Sequence, residues 1–416
     1  MSVELDLFSE VRAEERKLNA IVLRDYQKQA VDKILWATGK GLEGNDLIIL
    51  PTGAGKSIVI SAVASALNQP ILILQPSKEI LEQNLAKLCL YVDRSEVGVY
   101  SASMNEKTIG HYTFATIQSI YTKPEFFKHF KLVIIDEAHL VNPKNLSGMF
   151  TSFLKAIGNP KVIGLTATPY RMDTAYTRDD YGGITAHATI KLINRMKGFF
   201  WQRILFNINT SELVQSGYLC PLEYLDRSVI EHQQLRLNKS MTDFDLESVE
   251  GLLNARQSDI MTAIAYGMDN SKSVLVFNSS VSQAHRFSEL VPNSAAVSAK
   301  TPKKERDRII SEFKAGNIKA VFNVGVLTTG FDHPALDCIV LLRPTRSIAL
   351  YYQMLGRGVR IFPGKTGCKV IDLTSTVKNM GRVETIKLVK RDKWELESET
   401  SPNWHGAHLY SYRMKI

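Results

Sequence analysis

The sequence predicts an α/β fold built on two parallel sheets. Two observations carry that expectation. Short runs rich in Ile, Leu and Val lack the polar alternation of a half-solvated strand, as strands buried on both faces require, and stretches between them repeat apolar residues at three and four positions. In chain order the runs are 47–50, 71–74, 132–135 and 162–165, then 274–277, 320–326 and 338–342. Helical periodicity covers 57–67, 78–88, 282–290 and 303–314. Strands alternating with helices give a parallel sheet. Four runs precede residue 170 and three follow residue 270, so two sheets are expected rather than one. The turn-like SGYLCP (216–221) marks the boundary, giving a first domain over 1–215, a second over 216–373 and an extension over 374–416. That extension holds eight Lys or Arg against five acids.

Length and composition agree with this division. At about 150 residues per domain, 416 residues predict two or three domains. Apolar residues make up 44% and charged residues 22%, and 25 Gly with 14 Pro are about 9% of the chain, below the ~12% of average usage, which excludes low-complexity and collagen-like classes. No uninterrupted apolar run exceeds five residues, against about 20 for a membrane span, and the opening MSVELDLFSEVRAEERK is too acidic for a signal peptide. A soluble cytoplasmic protein with no membrane partner is expected. The 51 Lys and Arg exceed the 42 Asp and Glu by nine, which admits a polyanionic partner without requiring one. Cys89, Cys220, Cys338 and Cys368 lack the paired spacing of a zinc site or disulfide framework, so reduced thiols are expected.

Ligands of parallel sheets bind beyond the carboxyl ends of the strands, and the chemistry-bearing residues fall there. LPTGAGKS (50–57) follows the first run and opens an Ala-rich helix. Its small residues, Thr52, Gly53, Ala54 and Gly55, let backbone N–H groups wrap a phosphate; Lys56 reaches the β/γ phosphates and Ser57 offers a hydroxyl to Mg²⁺. VIIDEAH puts Asp136 and Glu137 directly after the third run. There Asp136 is expected to hold Mg²⁺ and Glu137 to orient and deprotonate the attacking water. In GRGVR, Arg357 and Arg360 lie one helical turn apart. An arginine brought to a γ-phosphate accelerates phosphoryl transfer by about 10³ to 10⁵, roughly 4–7 kcal/mol.

Nine segments stand in order: LRDYQ (23–27), LPTGAGKS (50–57), QPSKE (75–79), TIQS (116–119), DEAH (136–139), TATP (166–169), VFNSS (276–280), VLTTGFD (326–332) and QMLGRGVR (353–360). Together they resemble the complete motif set of a superfamily 2 helicase. The combination LRDYQ, TATPYR, GYL, VLTTGFD and YYQMLGRGVR is most similar to the RadD-like branch of bacterial and phage DNA helicases. It differs from the DEAD-box RNA helicases at His139 and at Thr166 to Thr168. RadD-type proteins continue into a cysteine-rich zinc module, and no such module is expected here.

The resemblance implies two tandem RecA-like domains with a short C-terminal extension, using ATP and Mg²⁺ to move along single-stranded or branched DNA in a bacterial or phage-infected cell, in recombination, repair or replication. It implies that Gln27 reads the adenine edge with Arg24 nearby. Asp332 meets the nucleotide from the second domain, where Arg357 and Arg360 act as fingers. His139, Thr166, Thr168 and Gln353 couple nucleotide state to the strand-binding groove. That groove is lined by Ser77, Lys78, Thr116, Asn278, Ser279, Thr328 and Thr329, whose small polar groups and backbone amides suit phosphates. Three alternatives stand beside the helicase. They are a remodelling or annealing translocase without processive unwinding, the motor subunit of a restriction or defence complex, and a non-catalytic nucleic-acid-binding protein. Of the aromatics Phe199, Phe200 and Trp201, at least part is expected in the core, because three consecutive side chains cannot share one face; Trp394, Trp404, Tyr410 and Tyr412 lie among basic residues in the extension.

Overall fold

The computed structural model describes residues 22–41, 43–141, 148–178, 184–195, 200–328, 330–391, 394–401, 407–408 and 412–413. Phe199, Thr329, Trp404 and Tyr410 lie outside them. The chain divides into two compact units. One comprises Gly55–Pro169, Asn194–Asn207 and the described residues before Pro51; the other comprises Pro51–Ala54, Tyr170–Ile193 and the described residues from Ile208 on.

The first unit is built on strands β1 (Asn45–Ile49), β2 (Ile71–Gln75), β3 (Val97–Ser101), β4 (Glu106–Lys107), β5 (Tyr112–Thr116), β6 (Leu132–Asp136) and β7 (Lys161–Thr166). After an antiparallel hairpin, β8 (Tyr170–Arg178) and β9 (Ile184–Leu192), which groups with the second unit, β10 (Trp201–Asn207) returns to the first sheet. The order is β10-β1-β7-β6-β2-β5-β3-β4, parallel throughout except for β4. The four strands expected from apolar runs, β1, β7, β6 and β2, are contiguous at its centre. They are apolar because helices cover both faces. A buried carboxylate ties three strands at their amino ends: Asp46, fully buried, lies 2.6 Å from Lys161 Nζ and 2.7 Å from Arg203 Nε.

The second unit carries a six-stranded parallel sheet in the order β11-β16-β15-β12-β14-β13. Its strands are β11 (Leu222–Asp226), β12 (Val274–Asn278), β13 (Ser294–Ser298), β14 (Ala320–Val324), β15 (Cys338–Leu342) and β16 (Cys368–Asp372). The expected run over 320–326 stops two residues early because Gly325 turns the chain at φ 73°. Val274, Val276, Phe287, Phe322, Val340 and Ile371 form part of one buried core with the helices Leu246–Asn254 and Gln257–Asp269. The extension forms an antiparallel sheet of β17 (Lys387–Lys390), β18 (Trp394–Glu397) and β19 (Ala407–His408), and β20 (Tyr412–Arg413) pairs with β9. All four cysteines are free thiols. No helix among the described residues is long and apolar enough to cross a membrane.

Candidate active site

In the first unit the sequence-predicted residues converge at the carboxyl ends of β1, β6 and β7. The phosphate loop leaves β1 through two residues that only glycine accommodates easily, Gly53 at φ 84° and Gly55 at φ 80°. Gly55 caps the helix Lys56–Leu67, so the first free N–H groups of that helix and its dipole point where an anion would sit. A Cβ at Gly55 would lie 2.6 Å from Gln27 Nε2, so the loop and the expected adenine reader are closely apposed. Gln27 is buried, and its Oε1 accepts from Arg24 N at 3.0 Å, while Arg24 Nη1 donates to Tyr26 at 3.3 Å. The amide oxygen thus caps the helix Asp25–Gly39, and the amide nitrogen faces the phosphate loop.

Asp136 ends β6, and Glu137 turns the chain in the left-handed region at φ 50°, ψ 51°. A non-glycine residue there is strained by about 1–3 kcal/mol, and such strain clusters at functional sites. The strain aims the two carboxylates apart. Glu137 faces Lys56, with Nζ to Oε1 3.9 Å, and His139, with Nδ1 to Oε2 3.3 Å. Asp136 is buried; its Oδ1 accepts from Glu137 N at 2.9 Å and its Oδ2 from Asn84 Nδ2 at 3.0 Å. Burial, and then the charge of Glu137, push the Asp136 pKa up to about 6, while Lys56 and the two hydrogen bonds pull the other way. A buried carboxylate of that kind calls for a cation, and a carboxylate with the Ser57 hydroxyl is the hard-oxygen set that suits Mg²⁺. Asp136 and Ser57 would hold the ion, which would neutralise phosphate charge when bound.

His139 Nδ1 also lies 3.0 Å from Thr166 Oγ1 and 3.4 Å from Thr168 Oγ1, and Thr168 N donates to Thr166 Oγ1 at 3.0 Å. All three side chains are buried. Three of the four expected coupling residues therefore share one hydrogen-bonded cluster with Glu137. Gln353 is half-buried on the helix Ile348–Leu355, in the second unit.

The second unit presents Arg360 and Arg357 differently from expectation. Arg360 pairs with Asp332, and its side chain keeps 21% exposure. Arg357, expected as a second finger, is buried instead. Its Nε and Nη2 donate to Thr328 O at 3.1 and 2.7 Å, and its Nη1 to Phe331 O at 2.7 Å. A guanidinium so committed ties the VLTTGFD loop to the GRGVR turn.

The residues expected to line a strand groove are placed at strand ends, but most of their side chains are turned inward. Ser77 accepts from Ile80 N at 3.4 Å as a helix cap, Thr116 meets Ser119 Oγ at 2.8 Å, and Ser279 donates to Leu342 O at 3.1 Å. Asn278 and Thr328 are buried. Lys78, half-buried, donates to Ser103 O at 3.2 Å. The Ser77, Thr116 and Ser279 hydroxyls are thus engaged within the protein. Of the aromatics, Trp201 is fully buried and Phe200 half-buried. Asn84 was missed because its helix, Lys78–Leu88, reads as an ordinary amphipathic one; an amide on the buried face was the available signal.

Residues 20–171 match the family described as Type III restriction enzyme, res subunit, and residues 220–362 the helicase conserved C-terminal domain. A Saccharomyces cerevisiae protein named as the ATP-dependent helicase IRC3 is 26% identical over 422 residues, which are 95% of this chain and 58% of that protein. The DNA 3'-5' translocase XPB2 of Sulfurisphaera tokodaii is 26% identical over 366 residues, 82% of this chain and 79% of the relative. A solved fragment of an HsdR subunit of a type I restriction enzyme from Vibrio vulnificus shares the fold with a TM-score of 0.64 at 21% identity, over 90% of this chain and 71% of the fragment. The chain thus spans less than two thirds of the length of the yeast relative. The fold is that of two RecA-like domains. The two matched regions take in all nine motifs, and the chain belongs to the superfamily 2 helicases.

Proposed function

We propose that this chain is a nucleic-acid-dependent ATPase that moves along DNA, single-stranded or branched, as the RadD-like branch does. A place in the cytoplasm and in recombination, repair or replication accords with that branch. The observation that carries the reading is the arrangement of Lys56, Asp136, Glu137 and His139 beyond the ends of β1 and β6, which flank β7, with Glu137 held in a strained backbone between a cation and the Thr166–Thr168 cluster. Lys56 and the loop amides bind the triphosphate, Glu137 takes the proton of the attacking water, and Arg360 offsets charge on the γ-phosphate. The His139 cluster passes the state of Glu137 to the turn after β7.

The test is ATP turnover measured against single-stranded, duplex and branched DNA and single-stranded RNA at one fixed salt concentration, because phosphate-dominated binding changes steeply with ionic strength. Glu137→Gln is expected to lower turnover by about 10² or more while retaining nucleotide binding, and Lys56→Ala to lose binding as well. Normal stimulated turnover in either variant would overturn the assignment. A second reading, the motor subunit of a restriction complex, draws support from the match over 20–171. It predicts turnover that appears only with partner subunits.

A further inference from the structure

Beyond the GRGVR turn lies a lysine with no carboxylate within ion-pairing distance among the described residues. Lys365 Nζ donates to Gly358 O at 2.7 Å, to Arg360 O at 2.9 Å and to Pro334 O at 3.1 Å. An ammonium has three protons and no accepting capacity, so three carbonyls satisfy it completely. Burial pushes its pKa below the ordinary lysine value, so keeping a cation here carries a desolvation cost. A Met or Leu would fill the same space without that penalty. The choice of a cation needs another reason.

The three carbonyls supply one. Gly358 and Arg360 belong to the turn that presents the arginine, and Pro334 follows the loop that carries Asp332, its partner. Arg357 joins the same two segments through Thr328 O and Phe331 O, and Arg360 Nη1 reaches Phe331 O at 3.4 Å. Three cations therefore staple the two loops, all within the second unit. Lys365 differs from the others in holding the backbone of Arg360 itself. Losing it frees the carbonyl of Arg360, and the guanidinium at the end of a long side chain amplifies any rotation of its Cα.

We propose that Lys365 is a positioning residue for ATP hydrolysis, acting through Arg360. The proposal rests on the ATPase reading above and on the role given there to Arg360.

The experiment is a double-mutant cycle on the full chain with Lys365→Met, Arg360→Ala and the double variant. It measures kcat and KM for ATP at saturating single-stranded DNA, nucleotide affinity by fluorescence, and thermal melts to establish folding at the assay temperature. Lys365→Met is expected to lower kcat about tenfold with nucleotide affinity within about twofold, and to have no further effect once Arg360 is Ala. Lys365→Gln, whose amide keeps two donors, is expected to recover part of the loss and applies the same cycle if the Met variant does not fold. An unchanged kcat in a folded variant would overturn the proposal, as would a loss that multiplies with that of Arg360→Ala, since Lys365 would then act independently of Arg360. Wild-type protein lacking stimulated turnover would instead overturn the ATPase reading.

Discussion

At the residue scale, the candidate site is a set of carboxylates whose directions are imposed by their neighbours. Asp136 would be free to rotate were Oδ2 not held by Asn84 and Oδ1 by its own chain. Asn84→Ala is therefore expected to leave a buried oxygen without its donor, at about 1–3 kcal/mol, and to lower turnover while raising the Mg²⁺ concentration needed for half-maximal rate. A magnesium titration of turnover together with a thermal melt checks this, and loss of stability with an unchanged magnesium dependence would limit Asn84 to packing. The two arginines separate on the same grounds. Arg360→Ala should cost hydrolysis with nucleotide binding and melting temperature retained. Arg357→Ala should lower the melting temperature first, because it leaves Thr328 O of a buried loop without a charged donor and takes from Phe331 O the nearer of its two. Lys56, Ser57, Asp136 and Glu137 were legible in the sequence because they follow all-apolar runs at fixed spacing. Asn84 was not, because its role depends on a partner 52 residues away.

At the element scale, the sheet centre was legible and its flanks were not. β7 and β10 show why. In β10, Trp201 is followed by the polar Gln202 and Arg203 and then by a run of only three apolar residues, 204–206, all half-buried, so the sequence pattern announces the strand weakly. Its Trp201 is nevertheless fully buried, against Gly164 of β7. A Cβ at Gly164 would lie 2.4 Å from Trp201 Cη2 and 2.7 Å from the Ala138 Cβ, inside the DEAH turn. Gly164→Ala is expected to destabilise the protein by about 1–3 kcal/mol through overpacking and to disturb turnover along with stability, since Ala138 separates Glu137 from His139. Urea unfolding with a parallel turnover assay reads both. A wild-type midpoint would mean that the indole moves aside at little cost. The same logic explains the missed β3, β5, β11, β13 and β16, whose Thr, Ser, Gly, Lys and Glu interrupt the apolar pattern.

At the scale of the whole molecule, stability should depend on pH through the second unit. His333 has its pKa pushed down to about 4 by burial and then by Lys314 and Lys365, and its Nε2 meets Ser273 Oγ at 2.9 Å. His232 is likewise pushed down to about 4, by burial and then by Arg346. A histidine whose folded pKa is depressed contributes stability that is present above its unfolded value of about 6.5 and is lost as pH falls toward 4. Denaturant unfolding between pH 7.5 and 4.5 should show a steeper decline in wild-type protein than in His333→Gln, and parallel profiles would remove His333 from the account.

The sequence alone determined the two-sheet α/β organisation, the order of the nine motifs and the residues that follow the central strands at the candidate site. These are local properties, because an apolar run, a glycine with positive φ and a carboxylate after a strand each announce themselves within a few residues. Only the tertiary structure decided which side chains are committed elsewhere. It turned Arg357 into a staple, committed the Thr116 and Ser279 hydroxyls to partners within the protein, set Asn84 on Asp136 and gave Lys365 three carbonyls. Those are contacts between segments distant in sequence. A hydrogen-bonding group takes whichever partner the fold brings within reach, and chain spacing carries no record of that choice.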